Sequence, residues 1–230
     1  IRDTSVTGVQ TCALPILEIF QITLSSISLA FISSSFIMLL SLLMIIVGAY
    51  KSNNFQKILI FFASSGYAFP GTILAVGIVV FVGWLNDLIY FRMSYAVGGF
   101  IILLFAYSIR FLAVGNGAIT SGISRIHPNL LDASRTMGVS FFKSIRKIIL
   151  PLLYTNLLVG GILVFVDILK ELPITLLLRP FNFETLATYV YQYASDEMLE
   201  ESAFAALIIV IAGLGPVIFL NRTITKSIKN

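Results

Sequence analysis

Long apolar runs alternate with short polar segments along the chain. Five runs stand out, at residues 24–49, 58–84, 96–117, 152–170 and 203–221. A helix rises about 1.5 Å per residue, so each run is about long enough to cross a hydrocarbon core of ~30 Å. The pattern predicts an all-α, polytopic membrane protein with about five transmembrane helices.

The second run is longer than one span needs, and it is interrupted by Phe69, Pro70 and Gly71. Proline cannot continue a helix cleanly, because it lacks an N–H and its ring clashes with the preceding turn. We therefore expect residues 58–68 to form an interfacial or re-entrant lead-in and residues 70–84 to form the main helix.

Small side chains mark the first and fourth runs. Ser25, Ser28 and Ser35 give the first run a serine-rich face, and Gly160 and Gly161 lie together in the fourth. Small residues permit close approach of helices in lipid, where burial of apolar area does not drive association. We expect these positions to lie at helix contacts.

The composition supports the membrane class. Of 230 residues, 58% are hydrophobic and 11% are charged, and the mean hydropathy is +0.98, which excludes a soluble globular domain. One cysteine, Cys12, excludes an internal disulfide framework, and a single histidine excludes a Cys/His metal cluster. The net charge of +4 lies in loops between spans, so we expect a lipid bilayer and no nucleic acid as partner.

Charge predicts the orientation. The segments 51–57, 118–151 and 221–230 hold one acid, Asp132, against ten basic residues: Lys51, Lys57, Arg125, Arg135, Lys143, Arg146, Lys147, Arg222, Lys226 and Lys229. The segments 85–95 and 171–202 hold two basic residues, Arg92 and Arg179, against Asp87, Glu171, Glu184, Asp196, Glu197, Glu200 and Glu201. By the positive-inside rule, the first group and the C-terminus are cytoplasmic.

The polar segment from Asp132 to Pro151 predicts two short helices joined at Gly138. Asp132 suits the helix dipole early in the first helix, and Ser140 is a good N-cap for the second. In the second helix, the apolar and basic residues gather on opposite sides: Phe141, Phe142, Ile145, Ile148 and Ile149 against Lys143, Arg146 and Lys147. We expect this basic amphipathic helix to lie at a membrane surface before Pro151 opens the next span.

The same segment resembles the cytoplasmic EAA loop in membrane subunits of bacterial ATP-binding-cassette (ABC) importers. That pattern is acid-Ala-small, three residues, Gly, nine residues and Ile-x-Leu-Pro, and it matches Asp132, Ala133, Ser134, Gly138, Ile148, Leu150 and Pro151. The family usually has Glu at the first position, and Asp keeps the charge. The resemblance implies the type I importer permease fold, with a coupling helix seated in a groove of a separate ATPase subunit. An ordinary basic cytoplasmic loop is the alternative.

The first sixteen residues differ from the rest of the chain. Residues 1–16 match neither the composition nor the rhythm of the apolar runs, so we expect them to be a non-native leader. Residues 17–230 then form the permease transmembrane domain, with the EAA-like loop at about 125–151. A genuine short periplasmic leader is the alternative for residues 1–16.

Catalytic motifs are missing from the sequence. The glycines around Gly66 and Gly71 have the spacing of a phosphate loop but lack its lysine and open a membrane helix. We expect a non-catalytic chain that binds no cofactor itself. ATP and Mg²⁺ would then bind to the partner ATPase.

Charged residues near the membrane are the other candidates. Asp167 and Glu171 are four residues apart, so they share a helix face, with Lys170 beside them. They predict part of a translocation path or outer gate, or a transient site for a hard cation. Alternatively, Lys170 pairs with a neighbouring acid, or both carboxylates reach interfacial water. Arg110 is expected to snorkel towards the cytoplasm or to pair with a helix neighbour.

Three stretches, 67–77, 106–113 and 167–187, resemble iron(III) importer permeases. In that family one long chain commonly contains two such halves, and this sequence is similar to the C-terminal half. The resemblance implies a second permease half or copy, ABC ATPase subunits and a periplasmic iron-binding protein as partners. Arg179, Glu197 and Glu200, within residues 171–201, are candidates for docking that protein. A solvated hairpin that only joins two spans is the alternative.

The prediction from sequence is a multi-pass inner-membrane permease subunit that moves iron(III), driven by a separate ATPase. The same fold could instead import thiamine, sulfate, phosphate or polyamine. In a different class, an ion-coupled secondary transporter would use Asp167 and Glu171 as its coupling-ion site.

Overall fold

The computed structural model describes residues 8–50, 54–89, 95–126 and 129–229, and this part of the chain contains helices and no strands. The α-helices are α1 (Gly8–Tyr50), α2 (Asn54–Ser65), α3 (Gly71–Ile89), α4 (Tyr95–Ile123), α5 (Asn129–Thr136), α6 (Phe141–Ser144), α7 (Leu150–Leu169), α8 (Pro173–Leu178), α9 (Leu186–Ser195) and α10 (Leu199–Lys229). A 3₁₀ turn, Gly66–Ala68, comes directly after α2, and a π-helical turn, Ile145–Ile149, joins α6 to α7. The all-α prediction is confirmed.

In the described part of the chain, four stretches are long and apolar enough to cross a membrane: Leu17–Gly48, Gly99–Ile123, Phe141–Leu169 and Leu199–Arg222. A fifth candidate combines Lys57–Ala68 with Gly71–Asn86, whose axes lie 117° apart. The break falls at Phe69 and Pro70, where a proline is expected to interrupt the helix. Both the expected number of spans and the interruption at Pro70 are confirmed.

The first helix begins at Gly8, inside the segment that we expect to be a leader. Residues 8–16 therefore continue the helix of the first span, whereas residues 1–7 lie outside the described part of the chain. That residues 1–16 are non-native stays a prediction.

Helices α1, α4 and α7 form the centre of the bundle and bury its largest apolar side chains, among them Ile37, Tyr107 and Leu153. Gly160 of α7 makes this packing possible. A Cβ at this position would lie 2.7 Å from the Cβ of Ala118 and 2.9 Å from the Cε of Met38. The expectation that Gly160 lies at a helix contact is confirmed.

The serines of α1 are placed differently from the expectation. Ser28 and Ser35 are exposed and Ser25 is half-buried, whereas the buried serines of this helix are Ser26, Ser33, Ser34 and Ser41. The serine-rich face is therefore not the face that packs on α4 and α7. The buried face instead contains apolar residues such as Ile37 at helical spacing, and its serines lie between them.

A second, smaller core lies beneath α9 and contains Ile22, Leu186, Tyr189 and Ala205. Ser26 connects α1 to this region, because its Oγ accepts a hydrogen bond from the backbone N–H of Leu186 at 2.8 Å. Residues 171–201, which follow α7 and include the first turn of α10, are named the acidic loop here. Helices α8 and α9 give this loop a folded structure rather than that of a simple hairpin.

The 3₁₀ turn after α2 lies directly against the backbone of α4. A Cβ at Gly66 would lie within 2 Å of the carbonyl oxygen of Ile109, with no flexible side chain between them. Gly77, in the exposed middle of α3, has nothing within 4 Å of the same position. These two glycines form a matched pair for testing the fold.

We expect Gly66→Ala to lower the melting temperature of the detergent-solubilised protein, because the turn must move away from α4. Gly77→Ala should leave the melting temperature unchanged or raise it slightly, because alanine favours a helix over glycine by about 1 kcal/mol. Equal melting temperatures for the two variants would contradict the close approach at Gly66.

Candidate functional site

Within the EAA-like loop, residues 129–151 form an elbow between the short helix α5 and the helical segment that α6 begins. Helix α5 ends at Thr136, Gly138 adopts a φ of +72°, and α6 begins at Phe141. A positive φ is the left-handed conformation that glycine adopts without a steric penalty. The predicted break between two helices at Gly138 is confirmed.

A buried contact between two serines holds the elbow closed. The hydroxyl oxygens of Ser134 on α5 and Ser144 on α6 are 2.9 Å apart, and both side chains are buried. The turn is fixed further by a backbone hydrogen bond from the N–H of Val139 to the carbonyl of Ser134, at 3.0 Å. The small residue of the acid-Ala-small pattern is therefore the one that α6 covers.

The outer face of the elbow is open. Ala133 is exposed, and Met137 is 80% exposed at the turn beside Gly138. Leu130 on α5 is also exposed, so apolar side chains lie at the tip. The side chain of Asp132 lies outside the described residues, and its position is the fourth of α5.

One expectation for the second helix is wrong, and another is confirmed only in part. The chain from Phe141 to Leu169 is one continuous helical segment, not a surface helix that ends before a separate span. The π turn immediately before Pro151 explains this, since a wider turn relieves the clash between a proline ring and the preceding carbonyls. Ser140 occupies the N-cap position of α6, but its side chain makes no capping hydrogen bond.

The amphipathic pattern of this segment is confirmed apart from Phe142, which is 81% exposed. Lys143, Arg146 and Lys147 are exposed. The remaining residues of the EAA-like pattern lie on the same continuous helical segment. Ile148 and Leu150 are half-buried, and Pro151 is exposed in the first turn of α7.

A cluster of polar groups lies at the opposite end of α7, about 30 Å away for a helix of 20 residues. Its centre is an ion pair between Arg110 of α4 and Glu171, with 3.4 Å between Nε and Oε2. Arg110 also donates from Nη1 to the carbonyl of Phe69 at 3.4 Å, at the break between α2 and α3. We call this cluster the polar junction; it comprises Arg110, Glu171, Tyr107, Thr175 and the Phe69 carbonyl.

Glu171 binds two helices, α4 and α8, through its carboxylate and lies close to the start of α3. The side chain is 7% exposed, and Oε1 accepts a hydrogen bond from the N–H of Ile174 in the first turn of α8, at 3.4 Å. A Cβ at Gly71, the first residue of α3, would lie 2.9 Å from the same oxygen. Burial raises the pKa of the Glu171 carboxyl above its ordinary value, while Arg110 and the Ile174 N–H oppose that shift.

Tyr107 and Thr175 complete the polar junction. Their hydroxyl oxygens are 2.5 Å apart, and both side chains are fully buried. Thr175 also donates to the backbone carbonyl of Glu171 at 2.6 Å. A buried hydroxyl of α4 therefore holds the first turn of α8 in place, which fixes the backbone that carries Glu171.

Asp167 and Lys170 form a separate pair. Lys170 Nζ lies 2.9 Å from Asp167 Oδ1, and Lys170 is 63% exposed. The hydrogen bond from Lys170 to Asp167 raises the pKa of the Lys170 ammonium. Pairing of Lys170 with a neighbouring acid, one of the alternatives considered above, is thus the observed arrangement.

The two carboxylates, Asp167 and Glu171, have different cationic partners, Lys170 and Arg110. Among the described residues, no group of three or more His, Cys, Asp or Glu side chains is placed to hold a metal ion. The charged groups after α7 therefore form two ion pairs, Arg110 with Glu171 and Lys170 with Asp167.

Arg179 stabilises the interior of the acidic loop. Its Nη1 lies 2.6 Å from Glu184 Oε1 and also donates to the carbonyl of Phe183 and the hydroxyl of Thr188, both at 3.3 Å. Thr188 forms a capping box with Thr185 at the start of α9. Arg179 thus braces the turn between α8 and α9.

Glu197 and Glu200 are both exposed. Glu197 has a φ of +62° in the turn before α10, and Glu200 lies in the first turn of α10, where a negative charge suits the helix dipole.

Sequence reasoning missed the members of the polar junction other than Glu171 and Arg110. Tyr107 and Thr175 lie in stretches that resemble iron(III) importer permeases, but no motif marks either residue as part of a polar cluster. A cation inside an apolar run was the available signal, because a buried charge needs a partner. The partner itself could not be identified, since it lies on another helix.

Comparison with known proteins gives a family match. The model of the family described as "Binding-protein-dependent transport system inner membrane component" matches residues 41–230. A curated relative, the Fe(3+)-transport system permease protein FbpB 2 of Haemophilus influenzae, is 25% identical over 157 residues. That alignment covers 68% of this chain and 29% of the relative, so the chain matches less than a third of the relative's length.

Solved structures share the fold. A bacterial alginate ABC transporter, in complex with an alginate-pentasaccharide-bound periplasmic protein, gives a TM-score of 0.68 at 17% identity over 88% of this chain and 77% of that chain. An amino acid ABC transporter gives 0.66 at 18% identity over 96% and 98%. The MetNI methionine ABC transporter in inward-facing form gives 0.62 at 13% identity over 94% and 99%.

Replacing Glu171 with Gln removes the charge and keeps the size of the side chain. We expect the free energy of unfolding in detergent to fall by about 2 kcal/mol, because Arg110 is left without its counter-ion. Combining Glu171→Gln with Arg110→Met should cost less than the sum of the single variants. Lys170→Gln, at the exposed neighbouring pair, should change stability by less than about 0.5 kcal/mol. Additive losses would contradict a coupled pair.

Proposed function

The chain belongs to the family of binding-protein-dependent transport system inner membrane components, and on that premise we propose that it is a permease subunit of an ABC importer for iron(III). The family match over residues 41–230 supports the importer. The observation that supports iron is the similarity to the Fe(3+) permease of Haemophilus influenzae, at 25% identity over 157 residues.

In this proposal the elbow of the EAA-like loop is the contact with a separate ATPase, which binds ATP and Mg²⁺. The open tip with Leu130 and Met137 suits insertion into a groove. The Ser134–Ser144 contact makes α5 and α6 move together. A displacement of α5 would therefore be transmitted to α6.

Continuity of the helix carries that motion across the membrane. The segment Phe141–Leu169 has 29 residues, which is about 44 Å as a helix. It begins at the elbow and ends one residue before Lys170, beside the polar junction. ATP-driven movement of the elbow would therefore tilt or shift the end that carries Asp167, Lys170 and Glu171, which act as the outer gate.

Paired charges suit a gate of this kind. Glu171 bonds to α8 and lies close to α3 while it pairs with α4, so the end of α7 cannot move without exchanging these contacts. A set of contacts that must break together favours two discrete positions over a gradual shift. An ion-coupled secondary transporter is less well supported, because Asp167 and Glu171 do not share one site.

The acidic loop is the proposed docking surface for a periplasmic iron-binding protein. Glu197 and Glu200 are exposed and suit a basic patch on that partner. Arg179 serves as an internal brace in this proposal, because Glu184 and Thr188 already occupy its guanidinium. The elbow and the C-terminus are then cytoplasmic, and a second permease half or copy completes the pore in the inner membrane.

Uptake of iron tests the substrate. Proteoliposomes that contain the complete transporter, with its ATPase inside and its binding protein outside, should accumulate radiolabelled iron(III) only with internal ATP. Vanadate should stop uptake and an ionophore should not. Uptake of thiamine, sulfate, phosphate or a polyamine in place of iron would contradict iron(III) as the substrate. Ionophore-sensitive uptake without ATP would contradict the assignment as an ABC importer.

Two charge reversals at opposite ends test the mechanism, and each serves as the control for the other. Asp132→Lys should abolish transport and ATPase co-purification, because it places a positive charge in the ATPase groove. Binding-protein affinity should be unchanged. The double variant Glu197→Lys/Glu200→Lys should weaken binding-protein affinity about tenfold or more and keep ATPase co-purification. Normal transport by Asp132→Lys would refute coupling through the elbow, and unchanged affinity of the double variant would refute acidic docking.

A further inference from the structure

A pair of tyrosines on α9 has no part in the proposed transport mechanism. Tyr189 and Tyr193 lie one helical turn apart, and their rings stack with 4.2 Å between centroids. The Tyr189 side chain is 4% exposed and packs in the smaller core with Ile22 of α1 and Ala205 of α10. Tyr193 is half-buried at the edge of that core. The hydroxyl of a buried phenol needs a polar partner, so the surroundings of this pair are informative.

Two exposed carboxylates lie beside the tyrosine pair. Glu18 lies on α1 one turn before Ile22, and Glu201 lies on α10 one turn before Ala205. Burial raises the pKa of the Tyr189 hydroxyl, and the neighbouring tyrosine and the two carboxylates raise it further. The buried ring therefore carries its hydroxyl to the place where α1, α9 and α10 bring negative charge together.

Within the described residues, no cation balances this group. Tyr193 is the one hydrogen-bond partner of the Tyr189 side chain, and neither Glu18 nor Glu201 forms a salt bridge. Three other acids differ, because each is paired with a lysine or an arginine: Asp167, Glu171 and Glu184. Oxygen atoms and negative charge thus converge from three helices without a positive group of the chain, an arrangement that favours a bound cation.

The geometry favours a hard metal ion over an organic cation such as thiamine or a polyamine. Each ring of the stacked pair covers a face of the other, and the core encloses the Tyr189 ring, so neither ring is open on both sides for a cation–π contact. The groups that remain available are phenol and carboxylate oxygens, which are hard ligands. Among the described residues no site is built from three His, Cys, Asp or Glu side chains. This cluster has two carboxylates and takes its other oxygens from tyrosine.

We propose that this cluster is a transient binding site for iron(III) on the periplasmic side of the bundle, an inference that rests on the proposed function. Its members are Tyr189, Tyr193, Glu18 and Glu201. The exposed carboxylates would meet the ion first, Tyr193 next, and Tyr189 would supply the deepest oxygen. Iron(III) binds phenolate, so each phenol that ligates the ion would release its proton to the surrounding water. Helix α9 is part of the acidic loop, so an ion released by a docked binding protein would be close to this site.

A titration of the purified transporter with iron(III) nitrilotriacetate tests the site. The complete transporter in detergent, without its binding protein, would be followed by visible absorption, because iron(III) bound to phenolate has a charge-transfer band that carboxylate ligands alone do not give. The wild type should show a saturable band. The double variant Tyr189→Phe/Tyr193→Phe should abolish it, and each single variant should weaken it. Tyr191→Phe, on the same helix with a side chain 48% exposed, is the matched control and should leave the band unchanged.

The carboxylates give a second measurement that does not disturb the core. Glu18→Gln/Glu201→Gln changes two exposed side chains and should weaken iron(III) binding about tenfold or more while the band of the bound form remains. Unchanged affinity of this variant would overturn the site, as would a wild type without a band, a band that persists in the double tyrosine variant, or an equal loss with Tyr191→Phe.

Uptake by the wild type separates this inference from the proposed function. If proteoliposomes accumulate iron(III) with internal ATP but the titration gives no phenolate band, only the tyrosine site fails. If they accumulate a different substrate, the proposed function itself fails. The phenylalanine variants keep both aromatic rings in the smaller core, so their melting temperatures should match that of the wild type.

Discussion

Inside a bilayer an unpaired backbone group or charge is costly, and this constraint accounts for the contacts around Pro70 and Arg110. Pro70 breaks the second span, and Arg110 approaches the carbonyl of Phe69 exposed at the break. The cation in turn requires an anion, and Glu171 supplies it from the end of α7. The interruption of one helix is thus linked to an ion pair between α4 and the residue pair that follows α7, and the same carboxylate accepts a hydrogen bond from α8.

The same constraint gives the elbow and the polar junction different characters. The elbow is closed by two neutral hydroxyls, those of Ser134 and Ser144, at the N-terminal end of the segment Phe141–Leu169, where the surrounding loop is polar. The junction is closed by full charges in a poorly hydrated setting, where separating them is costly. One continuous helix connects a neutral contact that holds the elbow together with a charged contact that exchanges as a unit. This contrast suits a device that receives a gradual push and responds by switching.

Local features of the structure were predictable from the sequence, and contacts between distant segments were not. The spans, the interruption at Pro70 and the elbow at Gly138 each depend on a few neighbouring residues, so periodicity and backbone preference were sufficient. The pairing of Arg110 with Glu171 depends on how helices pack, which no local pattern records. Pro151 was misleading because proline usually ends a helix, and the π turn that accommodates it has no sequence signal of its own.

The π turn at Ile145–Ile149 also changes the angular positions of the side chains along the segment Phe141–Leu169. A wider turn takes up about one extra residue, so every side chain beyond Leu150 is rotated by about 100° relative to an uninterrupted α-helix. The lysines and arginine of the elbow and the packing face of α7 therefore have separate angular registers. A helical wheel drawn through the whole segment would misassign the buried positions of α7, and the phase must be restarted at Leu150.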